Sequence, residues 1–135
     1  MNLNSLDKFN NKSEFIYEAC VETIQQALSA EKKGASRIEL CANLKEGGTT
    51  PSYGLIKLSK EIISIPIFVI IRPRGGDFVY DEYEIEIMKR DISMCLSLNV
   101  DGIVFGILTK TKQLDLIKIK ELIDYTKSIL SKIIK

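Results

Sequence analysis

From Glu14 onward, short apolar runs alternate with longer amphipathic stretches. This is the pattern of consecutive βα units building a parallel sheet. Four strands are expected, over residues 15–20, 37–41, 67–72 and 102–106, each bounded by Gly, Pro, Asn or Asp. The third is continuously apolar, as a strand covered on both faces would be.

The helices between them carry their own start and stop signals. Gly34 stands where the first helix should end at C′. Thr50 followed by Pro51 reads as an N-cap and first helical position, and Asp81 with Glu84 has capping-box spacing. Leu55, Leu58 and Ile62 share one face of the second helix, and Ile85, Met88, Ile92 and Cys95 one face of the third. The last helix should begin near Asp115 and keep Leu116, Ile119, Ile123, Thr126 and Leu130 on one side. Residues 1–13, rich in Asn, Ser and Lys, read as a disordered N-terminal tail, and residues 14–135 as one α/β domain.

Four parallel strands leave two edges to be covered or paired. A closed (β/α)8 barrel typically takes about 250 residues. The fold class is therefore α/β with a parallel sheet, either a small open fold or half of a TIM-type barrel. The bared edges and inner face of a half-barrel predict a homo-oligomer or self-pairing half-barrel.

Composition narrows the chemistry. Of 135 residues, 45% are hydrophobic and 27% charged, as suits a domain with a core. The 19 basic and 18 acidic side chains nearly cancel, so no global field favours nucleic acid or an anionic membrane. No apolar run approaches the roughly 20 residues of a membrane span, and residues 1–12 lack the apolar core of a signal peptide, so the cytoplasm is expected. The chain has no histidine, which excludes a Ser-His or Cys-His pair and the usual Cys/His zinc site within it. Three cysteines, Cys20, Cys41 and Cys95, do not make a disulfide framework.

In a parallel α/β sheet the loops after the strands emerge on one side, and ligands bind there. The loop Arg72-Pro-Arg74-Gly75-Gly76-Asp77 should lie at that mouth. Its glycines allow positive φ and exposed N–H groups, and Arg72 and Arg74 can clamp an anionic oxygen. A small carboxylate or phosphate is the expected guest, although the arginines could instead pair with Glu18, Glu39 or Asp77. A second Gly-rich loop, residues 45–52, offers either a phosphate grip or a simple capped turn. Strand alternation puts Glu18 and Cys20 on one face, and Arg37, Glu39 and Cys41 on one face of the next strand. Glu18 and Glu39 are candidates for an acid/base pair or for salt bridges that stiffen the site. Cys20 and Cys41, on adjacent strands, can share a soft ion such as Cu(I), or simply pack as small hydrophobes. Cys95 falls on an apolar helix face and reads as core.

Glu18-Ala-Cys-Val-Glu22, Gly34-Ala-Ser-Arg-Ile-Glu-Leu-Cys41, Glu46-Gly-Gly-Thr-Thr-Pro-Ser52, Pro66-Ile-Phe-Val-Ile-Ile-Arg-Pro-Arg-Gly-Gly-Asp-Phe78 and Asp101-Gly-Ile-Val-Phe-Gly106, taken in order, resemble the CutC family, named for copper homeostasis. The resemblance implies a TIM-like barrel, a cytoplasmic location and a role in copper handling in which Cys20 and Cys41 match the cysteines discussed as Cu(I) ligands. The family's scaffold also resembles that of an enzyme; from the residues themselves, its substrate would be a small anionic metabolite held by Arg72, Arg74 and the Gly-rich loops, with Glu18 or Glu39 as acid/base. Family members are roughly twice this long, as a complete barrel requires. Their later half, with a His-Arg-Ala-Phe-Asp-like motif, has no counterpart here, so a fragment, a split product or a half-barrel is expected. Ala19 stands where the family usually has Val, which should only loosen packing.

Overall fold

A computed structural model describes residues 15–133, so the expected tail over residues 1–13 lies outside the described residues. Four strands form one sheet in the order β1-β2-β3-β4: β1 (Glu18–Val21), β2 (Arg37–Leu40), β3 (Ile67–Ile70) and β4 (Gly102–Val104). All three pairings are parallel, with Glu18 opposite Arg37, Ile38 opposite Ile67, and Phe68 opposite Gly102. The connecting helices are α1 (Ile24–Lys32), α2 (Tyr53–Ile62) and α3 (Glu82–Ser97), and α4 (Leu116–Ile133) follows β4. The four expected βα units are present, with strands shorter than their apolar runs because the flanking residues turn into loops.

The helices cover one face of the sheet. Ile38, Leu40, Ile67, Val69 and Ile71 point into that layer and are fully buried against Ile56, Met88, Ile92 and Leu122. The opposite face carries Glu18, Cys20, Arg37, Glu39, Phe68 and Ile70, none of them fully buried. β3 thus alternates between buried and half-buried residues, and the expectation that both of its faces are covered does not hold among the described residues. Gly102 belongs to that open face. A Cβ there would stand 2.8 Å from the Phe68 ring, so its absence lets the ring lie across β4.

Capping explains most helix boundaries. Asp81 and Glu84 form the expected capping box on α3, and Gly34, with φ of +92°, follows the Lys33 C-cap of α1. The start of α2 differs: Ser52, not Thr50, accepts the Leu55 amide as N-cap, because Thr50 is engaged by the backbone of Arg72. The buried face of α2 is Ile56, Ser59 and Ile63, while Leu58 and Ile62 are exposed. In α4 the core residue is Leu122, flanked by Ile119, Tyr125 and Ile129, whereas Leu116, Ile123 and Leu130 are exposed. Asp101 ties the layers together at the N-terminal ends of the strands, accepting the Ile67 amide at 2.8 Å and Lys60 at 3.0 Å. Burial raises its pKa, but those two donors outweigh it and hold the carboxyl below its usual value. No helix among the described residues is long and apolar enough to cross a membrane.

Candidate functional site

The C-terminal ends of the strands form a rim in which two arginines organise the loops. Arg72 follows β3 and is only 5% exposed. Its Nη1 donates to the carbonyls of Glu46 (2.7 Å) and Gly48 (2.8 Å), and its Nη2 to Gly76 (2.8 Å). Its backbone exchanges hydrogen bonds with Thr50, and the guanidinium lies 4.7 Å from the centre of the Phe78 ring. Arg72 therefore staples the loop after β2 to the loop after β3. Gly47 and Gly48, both at positive φ, make the close approach possible: a Cβ on Gly47 would sit 3.2 Å from Arg72 Nη1, and one on Gly48 3.6 Å from Cys41 Sγ.

Arg74 is committed within its own loop. It pairs through Nε with Glu84 and through Nη2 with Asp77 at 3.0 Å, donates to the Val79 carbonyl and stacks over Tyr80. Glu84, then Asp77, push the Arg74 pKa up, and the Val79 amide together with Arg74 holds the Asp77 carboxyl below its usual value. Of the two loop glycines only Gly76 takes positive φ; Gly75 instead allows close approach of the Glu46 side chain. The expected anion loop is thus an ordered clasp: apart from the buried Arg72 Nε, which has no hydrogen-bond partner among the described residues, its guanidinium nitrogens donate to protein acceptors. Glu84 was legible as a helix cap, but its second partner, Arg74, lies ten residues back and carries no local signal.

The other end of the rim is the corner shared by β1 and β2. Glu18 and Arg37 open β1 and β2, so their ion pair, with Arg37 stacked 4.4 Å over Phe68, lies at the N-terminal ends of the strands and not at this rim. Cys20 Sγ donates to Glu39 Oε2 at 3.2 Å. Cys41, just past β2, is buried beside the Gly48 turn. Glu22 does not face a ligand: its carboxylate accepts the Leu44 amide at 2.7 Å and anchors the turn that follows β2. Of the two carboxylates read as either an acid/base pair or salt bridges, Glu18 forms an ion pair with Arg37 and Glu39 accepts from the Cys20 thiol.

Burial pushes the Cys20 thiol up to about 11, with Glu39 adding to the shift. Burial likewise pushes Cys41 up to about 12, with Glu39 and then Cys20 acting in the same direction. Among the described residues no group of three or more His, Cys, Asp or Glu side chains is arranged to hold a metal ion. Any metal at this corner would rest on two sulfurs. That donor set fits a soft monovalent ion and does not fit zinc or a hard cation.

Beyond Arg74, a cavity of about 580 Å³ opens between the loops after β3 and β4, lined by Tyr80, Glu84, Thr109, Lys110, Asp115 and Lys118 among others. Lys118 donates to the Tyr80 carbonyl, fixing the start of α4 against the β3 loop.

The family model for the CutC family matches residues 15–131, nearly all of the described chain. The chain belongs to the CutC family. Among CutC relatives, the copper homeostasis protein cutC homolog of Homo sapiens is 52% identical over 101 residues, covering 75% of this chain and 37% of the human protein. A CutC family protein of Parabacteroides distasonis is 51% identical over 113 residues, covering 83% of this chain and 46% of its own. The chain thus spans less than half the length of these curated CutC relatives. A solved structure described as copper homeostasis protein CutC from Streptococcus agalactiae superposes with a TM-score of 0.78 at 42% identity, over 84% of this chain and 56% of that one. Thiamine phosphate pyrophosphorylase from Pyrococcus furiosus, at TM-score 0.58 and 20% identity over 96% of this chain and 56% of its own, shares the fold alone. The four βα units correspond to the first part of a TIM-type barrel.

Proposed function

We propose that this CutC chain serves copper homeostasis in the cytoplasm by taking up Cu(I) on Cys20 and Cys41. What supports the reading is that Cys20, in β1, and Cys41, one residue past β2, sit towards the C-terminal ends of adjacent parallel strands, in a chain without histidine. Thiolates are the soft ligands that select Cu(I), and two suffice for it. The names of the relatives support the same assignment. Because both thiols are held protonated through neutral pH, Cu(I) must displace their protons, and affinity rises with pH. Titration of the reduced protein with Cu(I) against a competing chelator tests this. One ion per chain is expected, with Cys20→Ser or Cys41→Ser weakening binding by roughly a hundredfold or more. Unchanged binding in the double variant contradicts the thiolate site.

A second reading, an enzyme or enzyme relative acting on a small anionic metabolite, draws on the cavity between Arg74 and Lys110. Mouth-side cavities of this size are where TIM-type scaffolds hold ligands. Glu39, at the β1–β2 end of the rim, is the remaining acid/base candidate. A thermal-shift screen of phosphate and small carboxylates tests it: stabilisation lost in Lys110→Ala, Lys118→Ala supports the reading, and no stabilisation by any of them counts against it.

A further inference from the structure

The cavity between the loops after β3 and β4 carries charges of both signs. Asp81, Glu84 and Asp115 line it together with Arg74, Lys110 and Lys118, three carboxylates against three cations. Most of these groups are already spent on the protein itself. Arg74 is bound to Glu84 and Asp77, and Glu84 Oε2 also accepts the Asp81 amide at 2.9 Å. Asp115 Oδ1 accepts the Lys118 amide at 3.1 Å. The Lys118 ammonium donates to the Tyr80 carbonyl and stands 3.9 Å from Asp115 Oδ2.

One group of each sign is left over. Lys110 has no ion pair or side-chain hydrogen bond among the described residues. Asp81 uses Oδ1 to cap α3 through the Glu84 amide at 2.8 Å, and its Oδ2 has no donor among the described residues. A simple anion would answer only Lys110. A phosphate dianion would in addition meet three carboxylates, and that repulsion works against any guest without a positive charge of its own. The first turns of α3 and α4 do not compensate, because each already has an Asp carboxylate of its own as acceptor.

The rest of the wall is fixed and partly apolar. Half-buried Val79 and Leu108 face the cavity. The Leu108 amide donates to the Phe78 carbonyl at 2.9 Å, and Lys118 to Tyr80, so the two loops hold their spacing in advance of any guest.

We propose that this cavity binds a zwitterionic α-amino acid with an apolar side chain. Its carboxylate lies on Lys110 with Lys118 beside it, its ammonium on Asp81 Oδ2, and its side chain against Val79 and Leu108. This assignment, which rests on the reading of the chain as an enzyme relative with a small anionic guest at this cavity, narrows that guest to a carboxylate carrying its own ammonium group. Charge-assisted hydrogen bonds at both ends supply the selectivity.

Calorimetric titration of the whole chain with L-leucine, isocaproate, isoamylamine and inorganic phosphate tests it. Isocaproate and isoamylamine are the leucine skeleton without its ammonium and without its carboxylate. Leucine is expected to bind at least roughly tenfold more tightly than either, and more tightly than phosphate. Asp81→Asn, which keeps a good N-cap, should bring leucine down to the level of isocaproate, and Lys110→Gln to the level of isoamylamine. An unchanged far-ultraviolet circular dichroism spectrum verifies that both variants fold. Isocaproate or phosphate binding as tightly as leucine would overturn the amino-acid assignment and leave the anionic reading standing, whereas no binding of leucine, isocaproate or phosphate would overturn both. Leucine binding indifferent to Asp81→Asn and Lys110→Gln would overturn the site.

Discussion

Arg72 illustrates how much of the rim rests on single side chains. A buried guanidinium with no carboxylate among its hydrogen-bond partners holds three carbonyls from two loops. Lysine cannot reproduce that planar fork. Arg72→Ala would leave those carbonyls unsatisfied and is expected to cost about 3 kcal/mol or more. Arg72→Lys should recover only part of that. Chemical denaturation reads both as lowered midpoints with little change in slope; a midpoint within error of wild type would show that the clasp adds nothing. The sequence made Arg72 visible as an important residue, because two of its four arginines stand just before a Gly-Gly turn. It could not show the direction of the guanidinium. That direction depends on Gly47 and Gly48, some 24 residues earlier, letting a second loop close over it.

At the scale of elements, the sheet has one packed face and one open face, and Gly102 shapes the open one. Gly102→Val would drive a side chain into the Phe68 ring, where even a Cβ meets three ring atoms at 2.8 to 2.9 Å. The ring must swing away and give up its stacking under Arg37. A loss of about 1–3 kcal/mol is expected in thermal or urea unfolding; a variant as stable as wild type would show that Phe68 relaxes without cost.

The order and type of the elements were readable because apolar runs and caps agree with one another, as with Asp81 and Glu84 on α3. The faces of α2 and α4 were not. Each helix has apolar residues on two sides, so Leu55, Leu58 and Ile62 compete with Ile56 and Ile63. The buried position between the latter two is Ser59, whose hydroxyl has no hydrogen-bond partner among the described residues. In α4 the expected row is shifted about one position from the buried one, and its outer members are the exposed Leu116, Ile123 and Leu130. Periodicity reports that a face is apolar; it does not report which neighbour covers it.

For the whole molecule, the cysteines set an alkaline limit. Burial pushes Cys95 from 9.0 up to about 12, and Cys20 and Cys41 are raised as well. Raised folded-state values mean that the native state keeps these protons where the unfolded chain releases them. Their contribution is therefore complete below pH 9 or so and is lost as pH rises through the folded values. Urea midpoints should fall between pH 9 and pH 11, and less steeply in Cys95→Ala once its lower starting stability is subtracted. A flat profile over that range would contradict the assignment. Two of these thiols, Cys20 and Cys41, carry the copper reading, since a CutC chain without histidine has only sulfur to offer a soft ion.

X-ray absorption at the copper edge, on the chain loaded with one Cu(I) under reducing conditions, tests that reading most directly. A first shell of two sulfur scatterers is expected, and it disappears in Cys20→Ser, Cys41→Ser. A shell of oxygen and nitrogen, or a sulfur shell that survives the double substitution, would contradict it.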